Sequence, residues 1–508
     1  MILVTALMLV FTPSQLSISK LTNEIERVTG ESKFEDGFWG ISIYSPVRKK
    51  MIYELNSQKN FRPASNMKIV TTLMAFKHLG PDYVFETTFS HTGTIEDGIL
   101  YGDLIIQGFG DPSFSGNYTD GTVHTLDLLD QLLDRIQDSG IRAIKGDIVA
   151  LETFFDGPAI QKSWEWDDMG EYYGTPVTAL SLHDGWMDIN IETDEEMTPQ
   201  VKFYPPWTSG TKIVLEEDSF LKKDKFSYKR KWGTNEFKVK GHFSNCVNFE
   251  ESYSVWNPAL QFVETVKGRL IERGIPVEGQ SQVYDAPLNV ETTYLFSHHS
   301  FALSELAQVL MKESQNHYAD CFLKTTARQM TGEGSFKKGS ELATQFILES
   351  MGISTLDTQN KQDKIGFSML DGSGLSSHNA IQPQHLVALL KYGMNQPYWE
   401  KWLNTFPIMG LDGTLEKRDS QDGLTKGRVW AKTGYIFRSR ALSGYLETLD
   451  GEPIVFSIIL NNYSCPTKKV NQAQDDICAL MIRLKGNRQV KNDIQNRYKF
   501  THALNGHQ

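Results

Sequence analysis

Apolar side chains at positions 69, 70, 73, 76 and 79 of SNMKIVTTLMAFKHL (residues 65–79) recur at the three- and four-residue spacing of one helix face, and Gly80-Pro81 ends the run. This spacing predicts a mostly buried helix. From about residue 84 to 110 the pattern alternates, as in YVFETTFSHTG and YGDLIIQGFG, with glycines where turns are expected. An amphipathic helix is predicted in VHTLDLLDQLLDRIQDSG, where Leu126, Leu129, Leu133 and Ile136 share a face. Short strand signals such as KGDIVA, TKIVLE, FSYKRKW and SQVYDA then run to about residue 290, which predicts one or two β-rich lobes. Helical spacing returns in FALSELAQVLMKES, ADCFLKTTARQM and QHLVALLKYG. Three strands, RVWAKTG, RALSGYLET and EPIVFSIILNN, precede a last helix in QAQDDICALMIRL. The whole predicts an α+β protein: an antiparallel sheet with helices on both sides, interrupted by a β-rich insertion.

At 508 residues the chain has room for about three domains. Its 51 Lys and Arg against 62 Asp and Glu leave a net charge of -11, which argues against nucleic acid as a partner. Cys246, Cys321, Cys465 and Cys478 are widely spread and make neither a zinc spacing nor a disulfide framework. The opening MILVTALMLVF is an eleven-residue run, apolar but for Thr5, too short to span a bilayer. It has the size of a secretory signal core but lacks a basic n-region, so an export signal and a buried N-terminal segment both remain open. The terminal stretch 483–499 carries six basic residues against Asp493 and reads as a solvated tail, with weak attachment to an anionic membrane surface as its alternative.

The candidate chemistry begins at Ser65-Asn66-Met67-Lys68. Three residues of helix turn about 300°, so Ser65 and Lys68 are neighbours on nearly the same face. A serine hydroxyl needs a base, and a lysine serves if burial or nearby cations lower its pKa. Alone, the pair reads more simply as a helix cap and a solvated lysine. Two further elements change that weighting: Ser314-Gln315-Asn316 in a break between two helices, and Lys432-Thr433-Gly434 at a strand end. S-x-x-K, S-x-N and K-T-G in this order are the signature of penicillin-binding proteins and class A β-lactamases. Ser65 is then the candidate nucleophile and Lys68 its base, with Ser314 and Asn316 to relay protons and hold the substrate amide. Lys432 adds positive charge, Thr433 can bond a terminal carboxylate, and Gly434 leaves an extended substrate room along the strand. The backbone N–H groups of Ser65 and Tyr435 are candidate oxyanion donors.

With these motifs, and with GFGDPSF at 108–114, YYGTPVTALSLHDG at 172–185, DGSGLSSHN at 371–379 and GLDGTLEKR at 410–418, the chain resembles a known family over nearly its whole length. It is similar to the low-molecular-mass class C penicillin-binding proteins, the D-alanyl-D-alanine carboxypeptidase/endopeptidase family of serine peptidases (S13). The resemblance implies a catalytic domain, residues 1–90 and 296–508, split by an insertion of two smaller domains over 91–295. It implies an exported, periplasmic or cell-wall-associated hydrolase that cleaves the D-Ala-D-Ala end of peptidoglycan stem peptides and the D-alanyl to meso-diaminopimelyl cross-link. Both reactions run through an acyl-enzyme on Ser65, which β-lactam antibiotics also acylate. The catalytic set carried over is Ser65, Lys68, Ser314, Asn316 and Lys432, with Thr433, Gly434 and Tyr435 binding substrate and no metal or organic cofactor. Tyr435 departs from the family's small hydroxyl residue, and Asp320 stands where a glutamate is frequent. Two other readings share the motifs: a β-lactamase or related serine esterase, marked by rapid β-lactam turnover, and a catalytically inactive wall-binding protein that forms no acyl-enzyme.

Other features read more plainly. His298, His299, His317 and His378 fall in no recognised metal-ligand spacing. GFGDPSF lacks the third glycine of a dinucleotide fingerprint and is expected to be a tight turn. DGSGLSS is expected to frame the active site, with Asp371 orienting or capping that loop. Trp164 and Trp166 suit either glycan or peptide binding, or packing within a lobe.

Overall fold

The computed structural model describes residues 14–117, 124–193, 198–206, 210–218, 225–243, 248–353 and 366–486. The apolar opening run, Cys246 and the basic tail beyond residue 486 lie outside the described residues. Two compact units emerge, one of residues 1–66 with 381–508, the other of residues 67–380.

The first unit is built on a fully antiparallel five-stranded sheet. Its order is Val429–Ile436, Ser439–Glu447, Pro453–Asn461, Phe38–Ser45 and Lys50–Leu55, so Val429–Ile436 and Lys50–Leu55 are the edges. Period-two alternation sorts the side chains of the sheet onto two faces. Ile41, Ile43, Phe456 and Ile458 point one way and pack with Leu21 and Ile25 of the helix Ile18–Thr29 and Val470 and Ile477 of the helix Thr467–Ile482. Tyr445 points the other way, where its hydroxyl donates to the Leu390 carbonyl of the helix Pro383–Met394 at 2.8 Å and accepts from Trp402 Nε1 at 2.8 Å. Helices therefore cover both faces, as the pattern predicts.

Among the described residues, the second unit contains a helical assembly, a mixed five-stranded sheet and three small sheets, one of them formed by Thr94–Glu96, Ile99–Tyr101 and Ala143–Ile144. Helices Met67–His78, Leu303–Lys312, Asn316–Thr331 and Phe336–Ser350 pack on one another. A mixed five-stranded sheet runs in the order Ser281–Tyr284, Ile148–Leu151, Leu104–Gly108, Glu86–His91 and Thr293–His299. Its core joins Phe89, Leu104 and Ile106 to Leu129 and Leu133 of the helix Thr125–Asp138 and to Phe262 and Val266 of the helix Pro258–Glu272. Two three-stranded sheets, one around Trp186–Thr193 and one around Glu236–Gly241, enclose a third core of Met187, Ile189, Phe237, Val239 and Tyr253.

One stretch read only for strands holds a long helix. Pro258–Glu272 begins with Asn257, whose side chain accepts from the Leu260 N–H at 3.0 Å, and carries proline in its first turn. That cap is a sequence signal for a helix start. The helix Ile18–Thr29 likewise has Ser17 as its cap and Leu21, Ile25 and Val28 on its buried face.

Candidate active site

The S-x-x-K stretch is divided along the sequence between the two units. Ala64–Asn66 is a 3-10 turn of the first unit, and the helix Met67–His78 of the second follows at the next residue. Ala64 is left-handed, with φ 48°, an unfavourable conformation for a residue with a β-carbon and one that turns the chain sharply before the half-buried Ser65. Asn66 is fully buried, and its side-chain amide donates to the Lys432 carbonyl at 2.8 Å. This bond ties the turn that carries Ser65 to the K-T-G strand.

Lys432, Thr433, Gly434 and Tyr435 lie on the edge strand Val429–Ile436, opposite Ser443, Leu442, Ala441 and Arg440. Lys432 is fully buried, and the Thr433 hydroxyl donates to that of Thr414 at 2.8 Å. Tyr435 is half exposed with the Arg440 guanidinium over its ring. At Gly434 a β-carbon would come within 2.5 Å of the Pro63 carbonyl oxygen and 3.2 Å of Asn66 Nδ2. The strand therefore passes too close to the turn before Ser65 for any side chain here.

In the second unit, Lys68 is fully buried despite its charge-bearing end. Its Nζ donates to Asn316 Oδ1 at 2.6 Å and to the Ser373 carbonyl at 2.8 Å. Burial pushes its pKa down from 10.5, against the opposing pull of Asp320 and Asp371. An amine so placed is closer to its neutral, proton-accepting form than a surface lysine. Ser314 precedes the helix Asn316–Thr331 in a left-handed conformation, φ 65°, and Asn316 opens that helix while its amide donates to the Tyr173 carbonyl at 2.9 Å. Lys68 and Asn316, from the first and second motifs, are thus brought into direct contact.

The loop after residue 370 completes this half. Asp371 accepts from the N–H groups of Gly374 and Ser376, from the Asn379 amide and from Trp164 Nε1, all at 2.7–2.8 Å. It caps the loop and anchors Trp164 to it, so Trp164 is a buried packing residue. In the sequence Asp320 stands out only as a departure from the family pattern. Its Oδ1 accepts from the N–H groups of Gly372 and Ser373 at 2.6 and 3.2 Å, and Thr71 donates to the Gly372 carbonyl at 2.7 Å. Burial, reinforced by the nearby Asp371, raises the Asp320 pKa. Asp320 and Thr71 therefore aim the carbonyl that Lys68 bonds. The sequence signal for both was a polar residue at an apolar helix position.

The histidines have other partners. His317 is buried with its pKa lowered by burial to about 4, and its Nε2 lies 2.8 Å from the Ser181 hydroxyl. GFGDPSF forms the expected turn: Gly110 has φ 89°, and Asp111 accepts from both the N–H and the hydroxyl of Ser113.

Comparison with known proteins agrees in extent with this architecture. The model of the D-Ala-D-Ala carboxypeptidase 3 (S13) family matches residues 21–483. A D-alanyl-D-alanine carboxypeptidase from Actinomadura sp. is 25% identical, with 92% of this chain and 86% of the relative aligned. D-alanyl-D-alanine carboxypeptidase DacB from Haemophilus influenzae is 27% identical over 82% of this chain and 84% of its own. The crystal structure of penicillin binding protein 4 from Haemophilus influenzae shares the fold, with a TM-score of 0.75 at 24% identity over 90% of this chain and 99% of that one.

Proposed function

Because the chain belongs to the D-Ala-D-Ala carboxypeptidase 3 (S13) family, we propose that it hydrolyses the D-alanyl-D-alanine terminus of peptidoglycan stem peptides through an ester on Ser65. The D-alanyl to meso-diaminopimelyl cross-link is cut by the same route. Ser65 Oγ attacks the carbonyl between the two D-alanines while neutral Lys68 takes its proton. The C–N bond breaks as the departing amine gains a proton through Ser314, and water then cleaves the ester. Asn316 holds the substrate amide, and Lys432 and Thr433 receive the terminal carboxylate. The N–H groups of Ser65 and Tyr435 stabilise the oxyanion. β-Lactams acylate the same serine, and the substrate polymer puts the working compartment outside the cytoplasm.

The observation that carries this reading is the fully buried Lys68, held by Asn316 and the Ser373 carbonyl with its pKa lowered. A lysine kept for solubility or surface charge would not be desolvated in this way. Intact-mass spectrometry after incubation with penicillin tests it. The wild type gains one adduct on Ser65 and releases D-alanine from a pentapeptide, whereas Ser65→Ala does neither while staying folded. Persistent labelling of Ser65→Ala overturns the assignment. Rapid adduct turnover, with no D-alanine released from the pentapeptide, favours a β-lactamase instead.

A further inference from the structure

Three indoles line a cavity of about 530 Å³ in the second unit. Trp166, from the helical turn Trp166–Gly170, stacks on Trp232 with ring centroids 4.3 Å apart and planes 20° from parallel. Trp232 meets Trp256 edge to face at 5.1 Å. Trp166 is 66% exposed and Trp232 46%, so a broad aromatic surface faces water where burial would be favourable. Asp167, Lys229 and Lys231 add charge to the cavity wall.

This surface is held in place from below. Arg230 donates through Nε to the Thr234 carbonyl at 2.7 Å and through Nη2 to Asn235 Oδ1 at 3.1 Å, fixing the turn that carries Trp232. Through Nη1 it donates to the Met169 carbonyl at 3.1 Å and to the Ser254 hydroxyl at 2.9 Å, which ties that turn to the one carrying Trp166. Tyr228 adds a bond to Glu171. A ligand meeting this platform orders little that is not ordered already.

We propose that the cavity is a glycan-binding site that takes N-acetylhexosamine units of a polysaccharide, with one sugar ring lying flat on the open face of Trp166. A pyranose with equatorial substituents has an apolar face of C–H groups that matches an indole, and an edge of hydroxyl and acetamido groups that matches a charged rim. The volume is that of a small-ligand pocket, within about 300–1,000 Å³. The identity of the sugar rests on the peptidoglycan reading above, whereas the aromatic platform does not.

The test uses the full chain and tetra-N-acetylchitotetraose, a sugar with no peptide, titrated by calorimetry and tryptophan fluorescence. Saturable binding is expected, weakened about tenfold or more in Trp166→Ala and in Trp232→Ala and partly restored in Trp166→Tyr. D-Alanine release from a soluble sugar-free pentapeptide stays at the wild-type rate in all three variants. Absence of saturable binding overturns the proposal, as does binding that the substitutions leave unchanged. Equal weakening of a sugar-free peptide's binding reassigns the cavity to peptide and also overturns it. If the sugar binds but no variant or wild type releases D-alanine, the catalytic reading fails and this one stands.

Discussion

In the proposed mechanism the chemistry turns on a lysine amine buried against an amide oxygen and a backbone carbonyl. Only its neutral form accepts the Ser65 proton, and that form grows as pH rises through a pKa that burial has lowered. The rate of β-lactam acylation is therefore expected to climb with pH and level off well below the ordinary lysine value of 10.5, which stopped-flow measurement across pH would read. A profile still rising at pH 10 argues against Lys68 as the base. Asp320 supplies a second handle: burial opposes ionisation of its carboxyl, its ionised form raises the Lys68 pKa, and its Oδ1 holds the loop. Asp320→Asn keeps an acceptor oxygen and removes the charge, so the acid limb should move to lower pH in a folded enzyme. Asp320→Ala leaves the Gly372 and Ser373 N–H groups without their acceptor and should cost about 2–3 kcal/mol in denaturant unfolding. An unmoved pH limb in Asp320→Asn would leave Asp320 with a scaffold role alone.

Elements bring these residues together by close approach. The turn Ala64–Asn66 and the strand Val429–Ile436 touch through the Asn66 amide and across the bare α-carbon of Gly434. Gly434→Ala forces a methyl to within 2.5 Å of the Pro63 carbonyl oxygen. The strand must retreat, at about 2 kcal/mol of stability, and penicillin acylation should slow more than the melting temperature falls. Unchanged labelling by Gly434→Ala would show the approach to be incidental. The same elements separate what sequence reveals from what it does not. Lys68 is legible as a helix residue because the apolar spacing of its neighbours marks the helix, and Lys432–Gly434 as strand residues because their alternation is local, whereas the 3-10 turn that holds Ser65 has no such signal. Asn66, Thr71, Asp320 and Trp164 act through partners distant in sequence: 366 residues from Asn66 to Lys432 and 207 from Trp164 to Asp371. No period or cap announces such pairings. The helix Pro258–Glu272 is a different case, since its Asn-Pro start was present in the sequence but lay among stronger strand signals.

Among the described residues, apolar burial includes separate cores, among them one on the antiparallel sheet, one on the mixed sheet and one between two small sheets. Such a chain need not unfold in a single step. Phe237 is fully enclosed in the core between the two small sheets, and Phe237→Ala should cost that lobe about 3–5 kcal/mol. Scanning calorimetry should then show an added low-temperature transition while Ser65 is still acylated at its wild-type rate. A single lowered transition with acylation lost would mean that the cores stand or fall together. Partitioned burial also bears on how the sequence can drift. Substitutions in one core are felt by their own neighbours and add nearly independently to those elsewhere. The lobe that carries Trp232 and Arg230 can thus be rewritten for a new surface while the lysine-bearing helix, under its own packing, stays as it is.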